Sequence, residues 1–232
     1  MAGMEVTIAG PDGEFCGYLA RPEGGVGPGV VVIQEIFGVN AVMRGITDDL
    51  AAEGFAALCP DLFWRQEPGL QLSDQSEAEM ACAFELFAGF DFAAGVHDIV
   101  ATLDHLRGED ACAGPVGAIG FCLGGLLAYL TGTRTSTDCA VGYYGVGIEQ
   151  KLGEASNLTK PLMLLIATAD EFVPDEVQTA VRGDLGGNPL VTIHDYEGLG
   201  HAFARRGGDH YDAAAAVLAN GRTYAFLHAN LG

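Results

Sequence analysis

Val116-Gly117-Ala118-Ile119-Gly120-Phe121-Cys122-Leu123-Gly124-Gly125 is the stretch on which the fold reading turns. The run Val116–Gly120 reads as a buried strand and Leu123–Leu130 as a helix, so Cys122 falls at a strand-to-helix turn. Gly120-Phe121-Cys122-Leu123-Gly124 matches the nucleophile elbow G-x-S-x-G, with cysteine in place of serine. The spacing has a physical cause: in so sharp a turn, residues two positions from the nucleophile must lack side chains to avoid clashes. The helix that follows stabilises a thiolate at its N-terminus, and its first amides can bind an oxyanion. The bland alternative is a buried thiol in a glycine-rich turn. The flanking strand and helix, together with partners further along the chain, count against it. The other cysteines, Cys16, Cys59, Cys82, Cys112 and Cys139, have no such setting and read as core residues or inert thiols.

Outward from the motif, strand-like and helix-like runs alternate. Glu5–Ile8 and Glu14–Leu19 suggest a hairpin, about residues 5–19, around Pro11-Asp12-Gly13. Gly29–Gln34 is a continuous apolar run, as expected of a strand buried on both faces. A helix over 42–53 and a strand Phe55–Cys59 follow, then helices over 74–88 and 95–107. Beyond the motif come strands Cys139–Tyr144 and Leu162–Thr168, a helix Pro174–Arg182, a strand Leu190–Tyr196 and a last helix Tyr211–His228. Strands alternating with helices imply βαβ units. Joined to the elbow, they predict an α/β-hydrolase fold: a mostly parallel, doubly wound sheet in a single domain over residues 1–232.

In this fold the triad runs nucleophile, acid, histidine along the chain. Asp170 lies just past the strand Leu162–Thr168, and strand C-termini are where a doubly wound sheet presents its site. Glu171 is the rival carboxylate. His201 sits in Gly198-Leu199-Gly200-His201-Ala202-Phe203, a glycine loop beyond the last strand. His97, His105, His210 and His228 fall on helical runs and His194 inside a strand, so they read as surface or packing residues. The expected triad is Cys122, Asp170 and His201.

Composition narrows the function classes. Hydrophobic residues make up 49% of the 232 and charged residues 18%, an ordinary globular balance that excludes disorder. Eleven basic against 31 acidic residues give a formal net charge of −20, which repels nucleic acid and anionic membranes. Six cysteines without a C-x-x-C pair fit neither a zinc ribbon nor a dense disulfide framework. The start Met1-Ala2-Gly3-Met4-Glu5-Val6 lacks a basic-then-apolar leader, and no run is long enough to span a bilayer, so a cytoplasmic location is expected. Gly145-Val146-Gly147 does not continue as a dinucleotide fingerprint, and G-K-[ST] and H-E-x-x-H are absent. No cofactor and no metal are expected. The expected partner is a small-molecule substrate, bound by a monomer or small homo-oligomer.

Five segments then acquire a family likeness: Gln34-Glu35-Ile36-Phe37-Gly38-Val39-Asn40, Cys59-Pro60-Asp61-Leu62, Gly120–Gly125, Gly142-Tyr143-Tyr144-Gly145-Val146-Gly147 and Gly200-His201-Ala202-Phe203-Ala204-Arg205. In that order, spread over residues 5 to 228, they resemble the dienelactone hydrolase family. The resemblance implies that Glu35 contacts the resting thiol and helps generate the thiolate, and that the amides of Ile36 and Leu123 form the oxyanion hole. It further implies that Arg205 binds a substrate carboxylate and that Phe37 and Tyr144 line the pocket. Read without the family, Glu35 is an acid ending a buried strand. One departure stands out. A second arginine expected before Phe90-Asp91 is missing: 73–90 holds no Arg or Lys, Met80 aligns at that position, and Phe84 and Phe87 make the stretch apolar. The reaction implied is hydrolysis of a small lactone or ester through an acyl-cysteine. The dienelactone 4-carboxymethylenebut-2-en-4-olide is the first substrate, and an uncharged ester or lactone the alternative that the missing arginine favours. A thiol-based ligand or redox sensor is the reading from a different class.

Overall fold

Gly27–Ile33 forms the centre of the sheet because Val30, Val31, Val32 and Ile33 have no exposed surface, and only a strand covered on both faces accommodates such a run. The computed structural model describes residues 3–232, so Met1 and Ala2 of the leader reading lie outside the described residues. The strands are β1 (Met4–Gly10), β2 (Gly13–Ala20), β3 (Gly27–Ile33), β4 (Ala56–Pro60), β5 (Cys112–Phe121), β6 (Ala140–Tyr143), β7 (Leu162–Ala167) and β8 (Val191–Tyr196). They lie side by side in one sheet, in the order β1-β2-β4-β3-β5-β6-β7-β8. The hairpin β1–β2 is antiparallel and β2 meets β4 antiparallel; β4, β3, β5, β6, β7 and β8 run parallel. This is the doubly wound α/β-hydrolase sheet that the alternation of elements predicts.

Six α-helices accompany it: α1 (Ala41–Ala52), α2 (Glu77–Ala88), α3 (Phe92–Gly108), α4 (Leu123–Arg134), α5 (Asp175–Leu185) and α6 (Ala213–Leu231). The period of two along β5 assigns the faces. Gly117 looks toward Leu231 of α6, and Ile119 and Phe121 toward a space between α1 and α6, whereas Gly120 abuts α4. Helix α4 is buried all round from Leu123 to Thr133, so it carries no polar stripe. Each fully buried Leu, Ile or Val along this core contributes about 1.5–3 kcal/mol.

Several boundaries differ from the sequence reading, each for a local reason. Helix α2 begins at Glu77 rather than 74, because Ser76 caps it by accepting a hydrogen bond from the Glu79 amide. Asp74 is thereby left in the preceding loop. Helix α3 begins at Phe92 rather than 95, capped by Asp91, which accepts from the Ala93 and Ala94 amides at 2.8 and 3.1 Å. Helix α6 begins at Ala213, capped by Asp212, so His210 lies in a loop and not on a helix as expected. A 3₁₀ segment over Ile148–Asn157 has no counterpart in the sequence reading. No single helix among the described residues is long and apolar enough to cross a membrane.

Candidate active site

The elbow is built by close backbone approach. A Cβ on Gly120 would collide with the carbonyl of Gly124, and one on Gly124 with the carbonyls of Ile33 and Gln34. Strand β5, helix α4 and the end of β3 therefore meet at a distance only glycine permits. Between them Cys122 adopts φ 56° and ψ −114°, a conformation costing about 1–3 kcal/mol for a residue with a Cβ. Its amide donates to the Tyr143 carbonyl at 3.1 Å, while its carbonyl accepts from the Gly125 amide at 2.9 Å. Just three non-glycine residues among the described residues have positive φ: Cys122, Tyr144 and Ala202. All three surround the same histidine.

His201 and Asp170 come together across two loops. His201 Nδ1 and Asp170 Oδ2 are 2.8 Å apart, and Asp170 Oδ1 accepts from the Phe172 amide at 2.9 Å. The loops are clasped by the Ala169 amide donating to the Leu199 carbonyl at 2.9 Å. Glu171, the rival, is half exposed, and its carboxylate lies 3.9 Å from His210 Nδ1 rather than against His201. His201 is buried, with Tyr144 packed edge-on at 5.1 Å and Phe172 at 4.9 Å between ring centroids. Nε2 is buried and has no partner of ordinary hydrogen-bond geometry among the described residues. Cys122 is near enough to act on the charge of the His201 ring. Burial works against the imidazolium, but the thiolate of Cys122 and the carboxylate of Asp170 outweigh it and push the His201 pKa up to about 10.

The remaining expected residues divide. Ile36 and Phe37 line a cavity of about 250 Å³ that opens onto Cys122 and His201. The amides of Ile36 and Leu123 donate to no group among the described residues, which leaves both free to face a developing oxyanion. Tyr144 does not line that cavity; it stands behind His201 in a cluster with Tyr143 and Phe203, and its burial raises its phenol pKa well above the usual value. Met80, Phe84 and Phe87 of α2 do line it, as the apolar reading of that stretch predicts.

Glu35 and Arg205 depart most from expectation. Glu35 makes no hydrogen bond to Cys122 among the described residues. Its two oxygens instead accept from Arg205 Nε at 2.8 Å and Nη2 at 3.1 Å. Arg205 Nη1 donates to Asp74 at 2.7 Å, and the guanidinium lies 4.8 Å over the Phe37 ring. Arg205 is therefore not an open cation: two carboxylates and an aromatic face already surround it. Burial disfavours its charge, but Glu35 and Asp74 stabilise it more, so its pKa is raised. Burial likewise opposes the charge of Asp74, yet hydrogen bonds from Gln75 and Arg205 hold its pKa below the ordinary value. Gln34 fixes Glu35 from behind: its amide nitrogen donates to the Glu35 carbonyl at 3.2 Å and its oxygen accepts from the Leu62 amide at 2.9 Å.

Asp74, Gln34, Phe172 and His210 were not picked out as site residues from sequence. His210 Nδ1 lies 3.0 Å from the His201 carbonyl and thus supports the His201 loop rather than a helix surface. Nothing local in the sequence pairs Asp74 with a residue 131 positions away. The neighbouring Arg206 is exposed and pairs with Asp49 at 2.8 Å. No group of three or more His, Cys, Asp or Glu among the described residues converges as a metal cage.

A parallel sheet with a strained strand-to-helix turn, a histidine loop past its last strand and an acid loop at the end of β7 defines an α/β-hydrolase. The dienelactone hydrolase family model matches residues 15–231, and the chain belongs to that family. It is a carboxylic ester hydrolase of that type. It is 48% identical to a protein of Azospirillum brasilense, over 97% of both chains. It is 41% identical to the carboxymethylenebutenolidase of Pseudomonas putida, over 96% of this chain and 94% of the relative. Among solved structures, a dienelactone hydrolase-like promiscuous phosphotriesterase from metagenomic libraries superposes with a TM-score of 0.83 at 25% identity, covering all of both chains.

Proposed function

We propose that this protein hydrolyses small lactones and esters by acylation and deacylation of Cys122. The observation that carries the proposal is the line from the Asp170 carboxylate, 2.8 Å from His201 Nδ1, through the His201 ring to a cysteine held in a strained turn under the cavity. In the first half-reaction the thiolate forms a bond to the acyl carbon while the Ile36 and Leu123 amides hold the oxyanion. His201 passes its proton to the leaving oxygen as the carbon–oxygen bond breaks; in a lactone that oxygen stays tethered to the acyl group. In the second half-reaction neutral His201 takes a proton from water and the hydroxide attacks the thioester. Cleavage of the carbon–sulfur bond returns the thiolate, with the imidazolium beside it. Asp170 keeps the ring in the tautomer that presents Nε2 to both steps. Phe37 lines the acyl site, Tyr144 buttresses the histidine, and Glu35 and Arg205 form a charged base to the pocket.

The names of the relatives support 4-carboxymethylenebut-2-en-4-olide as a substrate to assay, and the apolar α2 wall supports uncharged esters and lactones. Rapid quenching of a turning-over mixture, followed by peptide mass spectrometry, should find the acyl mass on the peptide that contains Cys122. An acyl group found only elsewhere, or turnover without any adduct at substrate saturation and low pH, would refute the acyl-cysteine route. A redox or ligand sensor would turn over nothing.

The pH profile gives a second check. Because the His201 pKa is raised from 6.5 to about 10, its imidazolium, paired with Asp170, is present at neutral pH and is lost as pH rises through the higher value. kcat/KM is expected to stay level between about pH 7 and 9 and to fall near 10 as the leaving-group acid disappears. The pair's contribution to folding follows the same sign: complete below the unfolded histidine value, lost above about 10. An ascending limb centred near the ordinary histidine pKa would indicate a neutral-histidine base and contradict the ion pair.

A further inference from the structure

The cavity over Cys122 is unevenly furnished. Arg205 is its one arginine or lysine among the described residues, whereas Asp74, Glu171 and Asp209 all contribute carboxylates to its lining. Arg205 spends three of its five N–H donors on Glu35 and Asp74, and its face on Phe37. With two carboxylates against one guanidinium, this buried cluster carries a net negative charge. The opposite wall is aromatic and exposed: Phe84 is 43% and Phe172 45% accessible, with ring centroids 6.3 Å apart. Large apolar side chains left open at a cavity mouth are unusual unless something apolar covers them. Phe172 also packs on His201, so the apolar wall reaches the reacting atoms.

We propose that Asp74 is a specificity-determining residue: by completing the neutralisation of Arg205, it makes the pocket select uncharged aromatic or alkyl esters and lactones and disfavour carboxylated ones. An arriving carboxylate would meet an already satisfied guanidinium and a surplus of like charge, beside Arg205 and Asp74 side chains only 10% and 14% exposed, where water screens poorly. A neutral ring would instead cover Phe84 and Phe172 at no electrostatic cost. The inference rests on the hydrolase reading above and adds to it the charge class of the substrate.

The decisive comparison uses a matched pair, 3-carbamoylphenyl acetate and 3-carboxyphenyl acetate, which have the same shape and similar leaving groups. Wild-type protein is expected to favour the carbamoyl ester at least tenfold in kcat/KM. Asp74→Asn should raise the carboxylate-to-carbamoyl ratio at least tenfold, because Nη1 of Arg205 is then released from its counter-ion. Met80→Arg, which adds a cation on the wall of the same cavity, should raise the same ratio. Equal or reversed preference in the wild type overturns the proposal even if neither variant folds. So does an unchanged ratio in a folded Asp74→Asn protein. Hydrolysis of both esters through a Cys122 adduct, without the preference, removes the charge selectivity alone. Failure to hydrolyse either ester, with no adduct, removes the hydrolase reading as well.

Discussion

Cys122→Ala is expected to lower kcat for small aryl esters at least about 10⁴-fold while leaving the circular dichroism spectrum unchanged. The loss is large because no second nucleophile is near: the other buried thiols, Cys59 and Cys139, have pKa values raised by burial, Cys139 to about 12 and Cys59 further still. Alanine keeps the Cβ and so fits the same backbone at φ 56°, which is why the fold should survive. A histidine readout separates chemistry from structure. Removing the thiolate deletes the first of the favourable charges on His201, so its titration should move down from about 10. Cys122→Ser should be nearly as impaired, since an alcohol does not ionise beside an imidazole. Turnover above half of wild type in Cys122→Ala would end the nucleophile assignment.

Asp170→Asn should reduce kcat by about 10³- to 10⁴-fold, whereas Glu171→Gln should change it only slightly. The two carboxylates are adjacent in sequence yet differ in every physical respect that matters. Asp170 is 4% exposed, bonds His201 Nδ1 and accepts the Phe172 amide; Glu171 points outward at the pocket rim. Asparagine in place of Asp170 can hold the ring in the wrong tautomer and cannot compensate an imidazolium. The variant should also lose the elevated His201 pKa, shifting the alkaline limb of the rate profile downward. A severe Glu171→Gln and a mild Asp170→Asn would exchange the two roles.

The class of fold was legible in the linear sequence, and so were the three positions proposed as a triad, for a reason that lies in backbone sterics. A nucleophile elbow requires glycine at Gly120 and Gly124 because β3, β5 and α4 touch there, and that requirement is written as residue identity. Fully apolar runs such as Val30–Ile33 mark strands buried on both faces, and the chain order of cysteine, aspartate and histidine follows from where parallel strands end. Asp170 and His201 each lie within a short loop beyond a recognisable strand.

The charge of the pocket was not legible, because it depends on pairs formed between distant segments. Arg205 and Glu35 are 170 residues apart, and Arg205 and Asp74 are 131 apart. A sequence shows an arginine next to a catalytic histidine loop as a free cation; only folding brings two carboxylates against it. Asp74 reaches it because α2 begins at Glu77, after its Ser76 cap, and not at 74, a choice made by one capping hydrogen bond. Tyr144 and His210 were misjudged for the same reason. The direction a side chain takes from a loop or a strained turn is set by what packs around it, here His201 and its carbonyl, and not by its neighbours in sequence. Local sterics thus determined that Cys122 stands in a strained strand-to-helix turn, while long-range electrostatics, available only in the folded chain, decided which charges surround it.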